Sequence, residues 1–295
     1  MKKEPIFTGV CTALITPTNE HGVDFVALSK LIDWQIEKGI DALAFASTTG
    51  EKSTLNDIEH RRLLEFAVEH VAGRVPVIAG TGSNDIAYSV SMTQHACLAG
   101  ADAMLCVTPY YNKATQDGLV ESFFTVADAS TKPIIVYNVP SRTGVNILPE
   151  TYARLAEHEN IVAVKEASGN ISQIVETFQV AGDKLDIYSG NDDQIVPLLS
   201  MGGKGVISVI SNPMPAETVS LCRKWFEGDT AGAAQLQKDL LPFINALFSE
   251  VNPIPVKAAM AAMGFCENYL RLPLCEMSKD KEAAMLEIMK GLGLI

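Results

Sequence analysis

Short apolar runs alternate with amphipathic segments along most of this chain. The apolar runs cover residues 9–15, 40–46, 75–79, 103–107, 133–137, 161–165, 185–188 and 205–209. Runs of this length, bounded by polar or turn residues, are typical of buried β-strands. The segments that follow carry apolar residues at helical spacing and predict helices near 25–38, 56–72, 85–98, 115–129, 149–157, 171–181, 193–200 and 216–226.

The ends of the predicted helices carry recognisable signals. Asp24 is placed as an N-cap and Gly39 as a stop for the first helix, and Asn56 with Glu59 forms a capping-box pattern at the start of the second. Eight strand–helix repeats predict a parallel (β/α)8 barrel, for which we expect residues 1–228. Residues 229–295 predict only helices, near 231–247, 254–263 and 281–292, and we expect them to form an appendage that covers a barrel face or mediates oligomerisation.

Composition and charge exclude several classes of function. The formal net charge of −12 disfavours binding to nucleic acid or to anionic lipid. The six cysteines contain no CxxC pair, no His/Cys cluster has zinc-ligand spacing, and no glycine-rich dinucleotide motif follows a strand. No apolar run has the length of a membrane span, and the first residues lack a signal-peptide core. We therefore expect a cytoplasmic protein with reduced thiols and with no cofactor or bound metal.

The sixth apolar run ends in a lysine, Lys165. Burial disfavours the charged form of an amine, and a neutral amine in a partly dry pocket is what Schiff-base chemistry with a carbonyl substrate needs. The structural alternative is that the flexible stem of Lys165 simply carries its ammonium group to solvent.

Polar residues also follow the other predicted strands, where a barrel of this kind carries its catalytic groups. They are Thr48, Thr49 and Glu51 after the second strand, Tyr110, Tyr111 and Asn112 after the fourth, Tyr137 and Arg142 at the fifth, Ser189 and Gly190 after the seventh, and Ser208, Ser211 and Asn212 at the eighth. A tyrosine beside Lys165 can supply and accept the protons of carbinolamine dehydration, and hydroxyls can relay them. An arginine can hold a carboxylate by a bidentate pair, and loop amides can hold another. Two anion sites flanking an amine predict a 2-oxo acid substrate with a second acidic partner.

Each of these residues has a structural alternative when it is taken alone. Thr48 and Thr49 can cap a turn, Tyr137 can be a packing residue, Arg142 can be a surface arginine, Glu51 can be a loop acid that accepts backbone hydrogen bonds, and His60 can be a helix-surface histidine. For Glu51 and His60 we favour that structural interpretation.

Several motifs together resemble the dihydrodipicolinate synthase (4-hydroxy-tetrahydrodipicolinate synthase) family, and the likeness runs over the whole chain. The motifs are TTGE at 48–51, PYYN at 109–112, YNVPSRTG at 137–144, VKEA at 164–167, SG at 189–190 and NPIPVK at 252–257. The resemblance implies a Schiff base between pyruvate and Lys165, and condensation with aspartate semialdehyde to 4-hydroxy-tetrahydrodipicolinate on the route to diaminopimelate and lysine.

The resemblance also implies the roles of the site residues. Tyr137, Thr48 and Tyr111 would form the proton relay, with Tyr111 reaching the site of a neighbouring subunit. Thr49 would help to hold the pyruvate carboxylate, Arg142 would bind aspartate semialdehyde, and Gly190 and Ile207 would also bind substrate. Members of the family are usually homotetramers built as dimers of dimers, and the resemblance implies no cofactor.

The chain departs from the family pattern at a few positions. Ser47 stands where the family usually has glycine. At the lysine-feedback site of some members, His60, Asn84 and Tyr110 match the pattern, whereas Lys52, Asp57 and Tyr88 replace serine, histidine and glutamate. Because Lys52 would repel a cationic ligand, the sequence predicts weak or absent inhibition by lysine.

Two other interpretations remain. A related aldolase, such as N-acetylneuraminate lyase or a 2-keto-3-deoxy-sugar-acid aldolase, would share Lys165 and Tyr137. The lyase resembles STGE where this chain has TTGE, and Arg142 favours an acidic acceptor over a sugar. The second alternative is a non-catalytic protein that binds 2-oxo acids on the same fold.

Overall fold

Eight parallel strands close into a barrel in the computed structural model, which describes residues 4–295. The strands are β1 (Gly9–Ala13), β2 (Ala42–Phe45), β3 (Val77–Gly80), β4 (Ala103–Val107), β5 (Ile134–Asn138), β6 (Ile161–Glu166), β7 (Asp186–Ser189) and β8 (Gly205–Ser208). Each strand pairs with its neighbours in sequence, and β8 closes on β1 with Gly9 opposite Gly205. The predicted (β/α)8 barrel is confirmed.

Helices surround the barrel and continue beyond it. They are α1 (Phe25–Glu37), α2 (Asp57–Val71), α3 (Ile86–Ala99), α4 (Gln116–Asp128), α5 (Pro149–Leu155), α6 (Ile171–Ala181), α7 (Ile195–Ser200), α8 (Pro215–Phe226), α9 (Thr230–Leu247), α10 (Ile254–Ala262) and α11 (Lys279–Gly291). The predicted caps form: the Asp24 carboxylate accepts from the amides of Val26 and Ala27, and Asn56 with Glu59 makes a capping box.

Several barrel strands are shorter than the apolar runs that predicted them, and β1 and β2 show why. The first run extends to Ile15, but β1 ends at Ala13, and the Ile15 amide donates to the Asn212 side chain at 3.0 Å. The second run begins at Ile40, but β2 begins at Ala42. Leu14, Ile15 and Ile40 are nevertheless buried. An apolar run therefore predicts which residues are buried. The strand itself extends only as far as its backbone hydrogen bonds to the neighbouring strands.

The sequence did not predict several short elements. They are a small hairpin of Thr18–Asn19 with Gly22–Val23, a single helical turn at Pro140–Thr143, and 3₁₀ turns at Lys52–Thr54 and Asp192–Gln194. Each is too short to show a hydrophobic period.

Small and medium side chains fill the barrel interior, among them Ala44, Ala103 and Ile207. Near the start of β1, the Phe7 ring stacks on Tyr188 at 4.2 Å between centroids, and the Tyr188 hydroxyl donates to the Phe7 carbonyl at 2.7 Å. This end of the barrel is thereby packed, and the opening lies where the strands end.

The three helices after the barrel share its hydrophobic core. Phe243 of α9, Met260 of α10 and Met285 of α11 belong to the same cluster of buried side chains as Leu14 and Leu28. The division between residues 228 and 229 stays a prediction. Within residues 4–295, no helix combines the length and apolar character that a bilayer crossing requires.

Candidate active site

A cavity of about 250 Å³ opens at the carboxyl ends of the strands. Its lining comes from the loops after β2, β3, β4 and β5 and from the segments before and after α10. It includes Thr48, Glu51, Lys52, Gly82, Tyr110, Tyr137, Arg142 and Asn252. Loops that are distant in sequence and the chain beyond the barrel thus meet at one mouth. This is the place where a parallel barrel carries its chemistry.

Lys165 lies at the carboxyl end of β6, next to Tyr137 of the cavity wall. It is 3% exposed, and its register partners are Tyr137 of β5 and Tyr188 of β7. Its Nζ lies 4.4 Å from the centroid of the Tyr137 ring, which itself lines the cavity. The alternative in which the amine of Lys165 reaches solvent is therefore wrong.

Gly190 gives Lys165 the room that its stem occupies. A Cβ built on Gly190 would lie 2.7 Å from the Cβ of Ala167 and 3.2 Å from the Cε of Lys165. The Gly190 amide donates to the Glu166 carbonyl at 2.7 Å, which holds the two strand ends together. A side chain at residue 190 would displace the end of β6.

Ile207 lies in the wall of the same interior. It is fully buried in β8 and belongs to the apolar cluster that contains Tyr137 and Tyr188. The structure thus brings Lys165, Tyr137, Gly190 and Ile207 to one part of the barrel.

A buried carboxylate anchors the end of β6, and sequence reasoning missed it. Glu166 accepts from the Tyr152 hydroxyl at 2.8 Å, from the Ser168 amide at 2.6 Å and from the Asn138 amide group at 3.3 Å. Burial first, and the Glu166 charge second, raise the pKa of Tyr152 well above its ordinary value, so Tyr152 remains a donor. The available signal was an acid directly after Lys165 in an otherwise apolar strand.

The loop after β2 has a strained and tightly bonded backbone. Ala46 and Glu51 adopt left-handed φ angles of 51° and 54°, and the Thr16 hydroxyl donates to the Gly50 carbonyl at 2.7 Å. Thr48 is half-buried and faces the cavity. Thr49 is buried, and its hydroxyl accepts from the Asn252 side chain at 3.1 Å.

Glu51 is a structural acid, as the sequence predicts, but its partner is not the expected one. Instead of a backbone amide, the Lys257 ammonium lies 2.5 Å from its carboxylate, and both side chains are buried. Burial lowers the pKa of Lys257 and the Glu51 charge opposes that shift. The two residues are 206 positions apart, so local pattern gives no sign of the pair.

Arg142 stands at the wall of the cavity in the helical turn after β5. Its Nη2 donates to the Asn252 carbonyl at 2.8 Å, and the side chain is otherwise exposed. Arg142 is therefore both a surface arginine and a residue of the cavity wall. The Asn252 carbonyl, in the segment after α9, orients its exposed guanidinium group.

Tyr111 lies away from the cavity, whereas Thr48 and Tyr137 of the predicted proton relay line it. Its side chain is 89% exposed and its φ is 73°, although the adjacent Tyr110 lines the cavity. A left-handed conformation is costly for a bulky residue and marks a position under constraint.

His60 is buried, so its interpretation as a surface histidine is wrong. Its Nδ1 lies 3.1 Å from the Tyr88 hydroxyl and its Nε2 lies 3.0 Å from the Gly80 carbonyl oxygen. Burial first, and the Lys52 charge second, lower its pKa to about 4. The missed signal was spacing, because His60 precedes the buried Leu63 and Leu64 by three and four residues on one helix face.

Lys52 reaches into the cavity from the 3₁₀ turn after Glu51. Its ammonium group contacts the Gly82 carbonyl oxygen. Burial lowers the pKa of Lys52 to about 8. Within residues 4–295, no group of three or more His, Cys, Asp or Glu residues is arranged to hold a metal ion.

Comparison with known proteins agrees with this geometry. The Dihydrodipicolinate synthetase family model matches residues 6–292. A 4-hydroxy-tetrahydrodipicolinate synthase from Lachnoclostridium phytofermentans is 52% identical over 292 residues, covering 98% of this chain and 99% of the relative.

Solved structures give the same result. The dihydrodipicolinate synthase from Aquifex aeolicus aligns with a TM-score of 0.96 at 46% identity, covering 98% of this chain and 99% of that one. The chloride-inhibited dihydrodipicolinate synthase from Acinetobacter baumannii complexed with pyruvate aligns with a TM-score of 0.95 at 38% identity, covering 98% and 99%. With a closed barrel, a buried strand-end lysine and this likeness over nearly its full length, the chain belongs to the dihydrodipicolinate synthetase family.

Proposed function

We propose that this chain condenses pyruvate with L-aspartate 4-semialdehyde to 4-hydroxy-tetrahydrodipicolinate, the activity for which its relatives at about half identity are named. The observation that carries the proposal is the burial of the Lys165 amine against the ring of Tyr137, which lines the cavity. An amine held there meets a ketone in a largely water-free place, which suits formation of a Schiff base.

In the first half-reaction, Nζ of Lys165 attacks C2 of pyruvate and forms a carbinolamine. Loss of water needs a proton on the departing oxygen, which the Tyr137 hydroxyl supplies and Thr48 relays. Thr49 and the amides of its loop hold the pyruvate carboxylate, while Gly190 and Ile207 shape the space around it. Proton loss from the pyruvate methyl group then gives the enamine.

In the second half-reaction, the enamine carbon attacks the aldehyde carbon of the semialdehyde, the aldehyde oxygen takes up a proton from the relay to become the 4-hydroxyl group, and the Schiff base re-forms. Arg142 holds the carboxylate of this acceptor, and a guanidinium suits that task because it can pair with both carboxylate oxygens. The amino group of the acceptor then adds to the Schiff-base carbon. Lys165 leaves as the free amine, and the ring is closed.

We further propose that Tyr111 completes the proton relay of a neighbouring copy, in a homotetramer built as a dimer of dimers. The 89% exposure of Tyr111 and its left-handed φ of 73° support this proposal. We also propose a cytoplasmic location. All six cysteines are free thiols within residues 4–295, as a reducing compartment would keep them.

Borohydride trapping tests the Schiff base. Incubation with pyruvate and borohydride is expected to add a reduced pyruvate group to the peptide that contains Lys165, as read by mass spectrometry. The Lys165→Ala variant should acquire no such group while keeping its fold by circular dichroism. Unmodified Lys165 in a folded wild-type protein would favour the non-catalytic alternative.

The related aldolases remain the second candidate for the acceptor. Arg142 favours an acidic acceptor, because a sugar aldehyde presents hydroxyls where the semialdehyde presents a carboxylate. Turnover of pyruvate with N-acetylmannosamine, in a protein inactive with the semialdehyde, would reverse this preference.

A further inference from the structure

The loop that carries Thr48 and Thr49 is held by the chain beyond the barrel. The Asn252 side chain donates to the Thr49 hydroxyl at 3.1 Å, and the Lys257 ammonium meets the Glu51 carboxylate at 2.5 Å. We name the second contact the 51–257 pair. It joins the loop after β2 to α10. A helix that lies beyond the barrel in sequence therefore contacts a loop near the start of the chain.

The 51–257 pair is enclosed and oriented. Side-chain exposure is 0% for Lys257 and 2% for Glu51. The ammonium also donates to the Thr18 hydroxyl at 2.7 Å, and that hydroxyl donates to the Tyr269 carbonyl at 3.1 Å. The Thr18 hydroxyl thus orients the Lys257 nitrogen, and the nitrogen holds Oε1 of the Glu51 carboxylate.

A buried ion pair is a poor source of stability, because desolvation of two charges offsets their attraction. Its attested use is to specify one geometry. Here the pair holds a strained backbone, since Glu51 has a φ of 54°, and Thr49 and Thr48 lie two and three residues before it. The Glu51 amide also donates to the Thr48 carbonyl at 3.2 Å, so displacement of Glu51 moves the threonine turn.

We propose that Lys257 is a positioning residue for pyruvate: by holding Glu51, it sets the place of the Thr48 and Thr49 groups. The inference rests on the proposed function, because that function assigns pyruvate to these threonines. Arg142 stands on a different loop and takes its orientation from the Asn252 carbonyl. The acceptor site should therefore depend much less on Lys257 than the pyruvate site does.

The variant Lys257→Met keeps length and removes the charge. Its KM for pyruvate should rise about tenfold or more, while its KM for the semialdehyde stays within about twofold of wild type. Borohydride trapping without the semialdehyde should need a correspondingly higher pyruvate concentration. Lys224→Met is the matched control, because it removes an exposed ion pair with Asp229 at 2.8 Å, and it should leave both constants unchanged.

A double variant separates positioning from stability. Lys257→Met leaves Glu51 buried and unpaired, whereas Glu51→Gln with Lys257→Met removes both charges and should regain much of the lost stability. If positioning is the role, the pyruvate KM of the double variant stays high although its melting temperature recovers. If the pyruvate KM of the double variant returns to the wild-type value together with its stability, the proposal is overturned. The double variant also provides the test if the single variant Lys257→Met fails to fold. Failure of the proposed function would give a different result, because the wild-type protein itself would not turn over the semialdehyde. Borohydride trapping in wild type and Lys257→Met would still compare their pyruvate binding.

Discussion

Lys165 and Tyr137 are register partners in neighbouring strands, with the lysine Nζ 4.4 Å from the centroid of the tyrosine ring. The ring face covers the amine, and the hydroxyl extends from the same ring. Packing and proton transfer therefore fall on different atoms of one side chain, so they can be separated by substitution.

Tyr137→Phe keeps the ring over Lys165 and removes only the hydroxyl. The turnover number should fall by about a hundredfold to ten-thousandfold, the usual contribution of a positioned acid–base group. The unfolding midpoint in urea should change little. Tyr269→Phe, at a tyrosine outside the cavity lining, is the control and should match wild type. Near-normal turnover of Tyr137→Phe would remove Tyr137 from the proton relay.

Gly190→Ala should impair Schiff-base formation without a change in any polar group. The added Cβ meets the Ala167 Cβ at 2.7 Å and the Lys165 Cε at 3.2 Å, so the end of β6 must shift. The rate of pyruvate trapping should fall at least about tenfold. Gly291→Ala adds a methyl group where nothing lies within 4 Å and should trap pyruvate at the wild-type rate. Equal rates for the two variants would show that residue 190 does not limit the position of Lys165.

Tyr152→Phe should destabilise the fold more than it affects binding of either substrate. It removes the 2.8 Å hydrogen bond to Glu166 and leaves a buried carboxylate with fewer donors. The expected loss is about 1–3 kcal/mol in the free energy of unfolding, measured by urea denaturation. A loss within experimental error would mean that the other donors to Glu166 suffice.

Stability should depend on pH through His60. Its folded pKa is lowered from 6.5 to about 4, so the unfolded chain binds the proton first as the pH falls. The contribution of neutral His60 is complete above pH 6.5 and is lost progressively down to about pH 4. The loss amounts to about 3 kcal/mol at 1.36 kcal/mol per pKa unit.

The His60→Gln variant supplies the comparison for that experiment. It cannot titrate in this window, so the difference in unfolding free energy between it and wild type should shrink as the pH falls from 6.5 to about 4. A difference that stays constant across the window would contradict the burial of a neutral His60.

Free lysine should inhibit the enzyme weakly or not at all. Below a pH of about 8, the lowered pKa of Lys52, its side chain is a cation in the cavity that Tyr110 also lines, and it disfavours a second amino cation there. Initial rates with and without millimolar lysine should agree within about twofold on this electrostatic argument. Lys52→Ser is the informative variant, since it removes the repelling charge. Half-inhibition of wild type at low lysine concentration would refute the prediction.

The barrel and the core of the site were predictable because their signals are local. Eight apolar runs predict the fold, and the rule that chemistry lies at strand ends predicts Lys165 beside Tyr137. The 51–257 pair was not predictable, because its members are 206 residues apart. The prediction that His60 lies on the surface was wrong, because it rested on the usual exposure of histidine. The buried Leu63 and Leu64 on the same helix face indicate burial instead.

Other features lay beyond sequence pattern for physical reasons. The hairpin around Gly22 has strands of two residues, which leave no alternation to detect. The expected role of Tyr111 concerns a second copy of the chain, and the fold of one chain leaves that residue in solvent.

The most direct test of the account is pyruvate consumption by the purified protein with aspartate semialdehyde as the only acceptor, run beside Lys165→Ala. The account predicts rapid consumption that depends on the semialdehyde in wild type and none above background in the variant. Wild-type protein that traps pyruvate on Lys165 but consumes none would contradict the proposed acceptor. Full turnover by Lys165→Ala would contradict the Schiff-base mechanism itself.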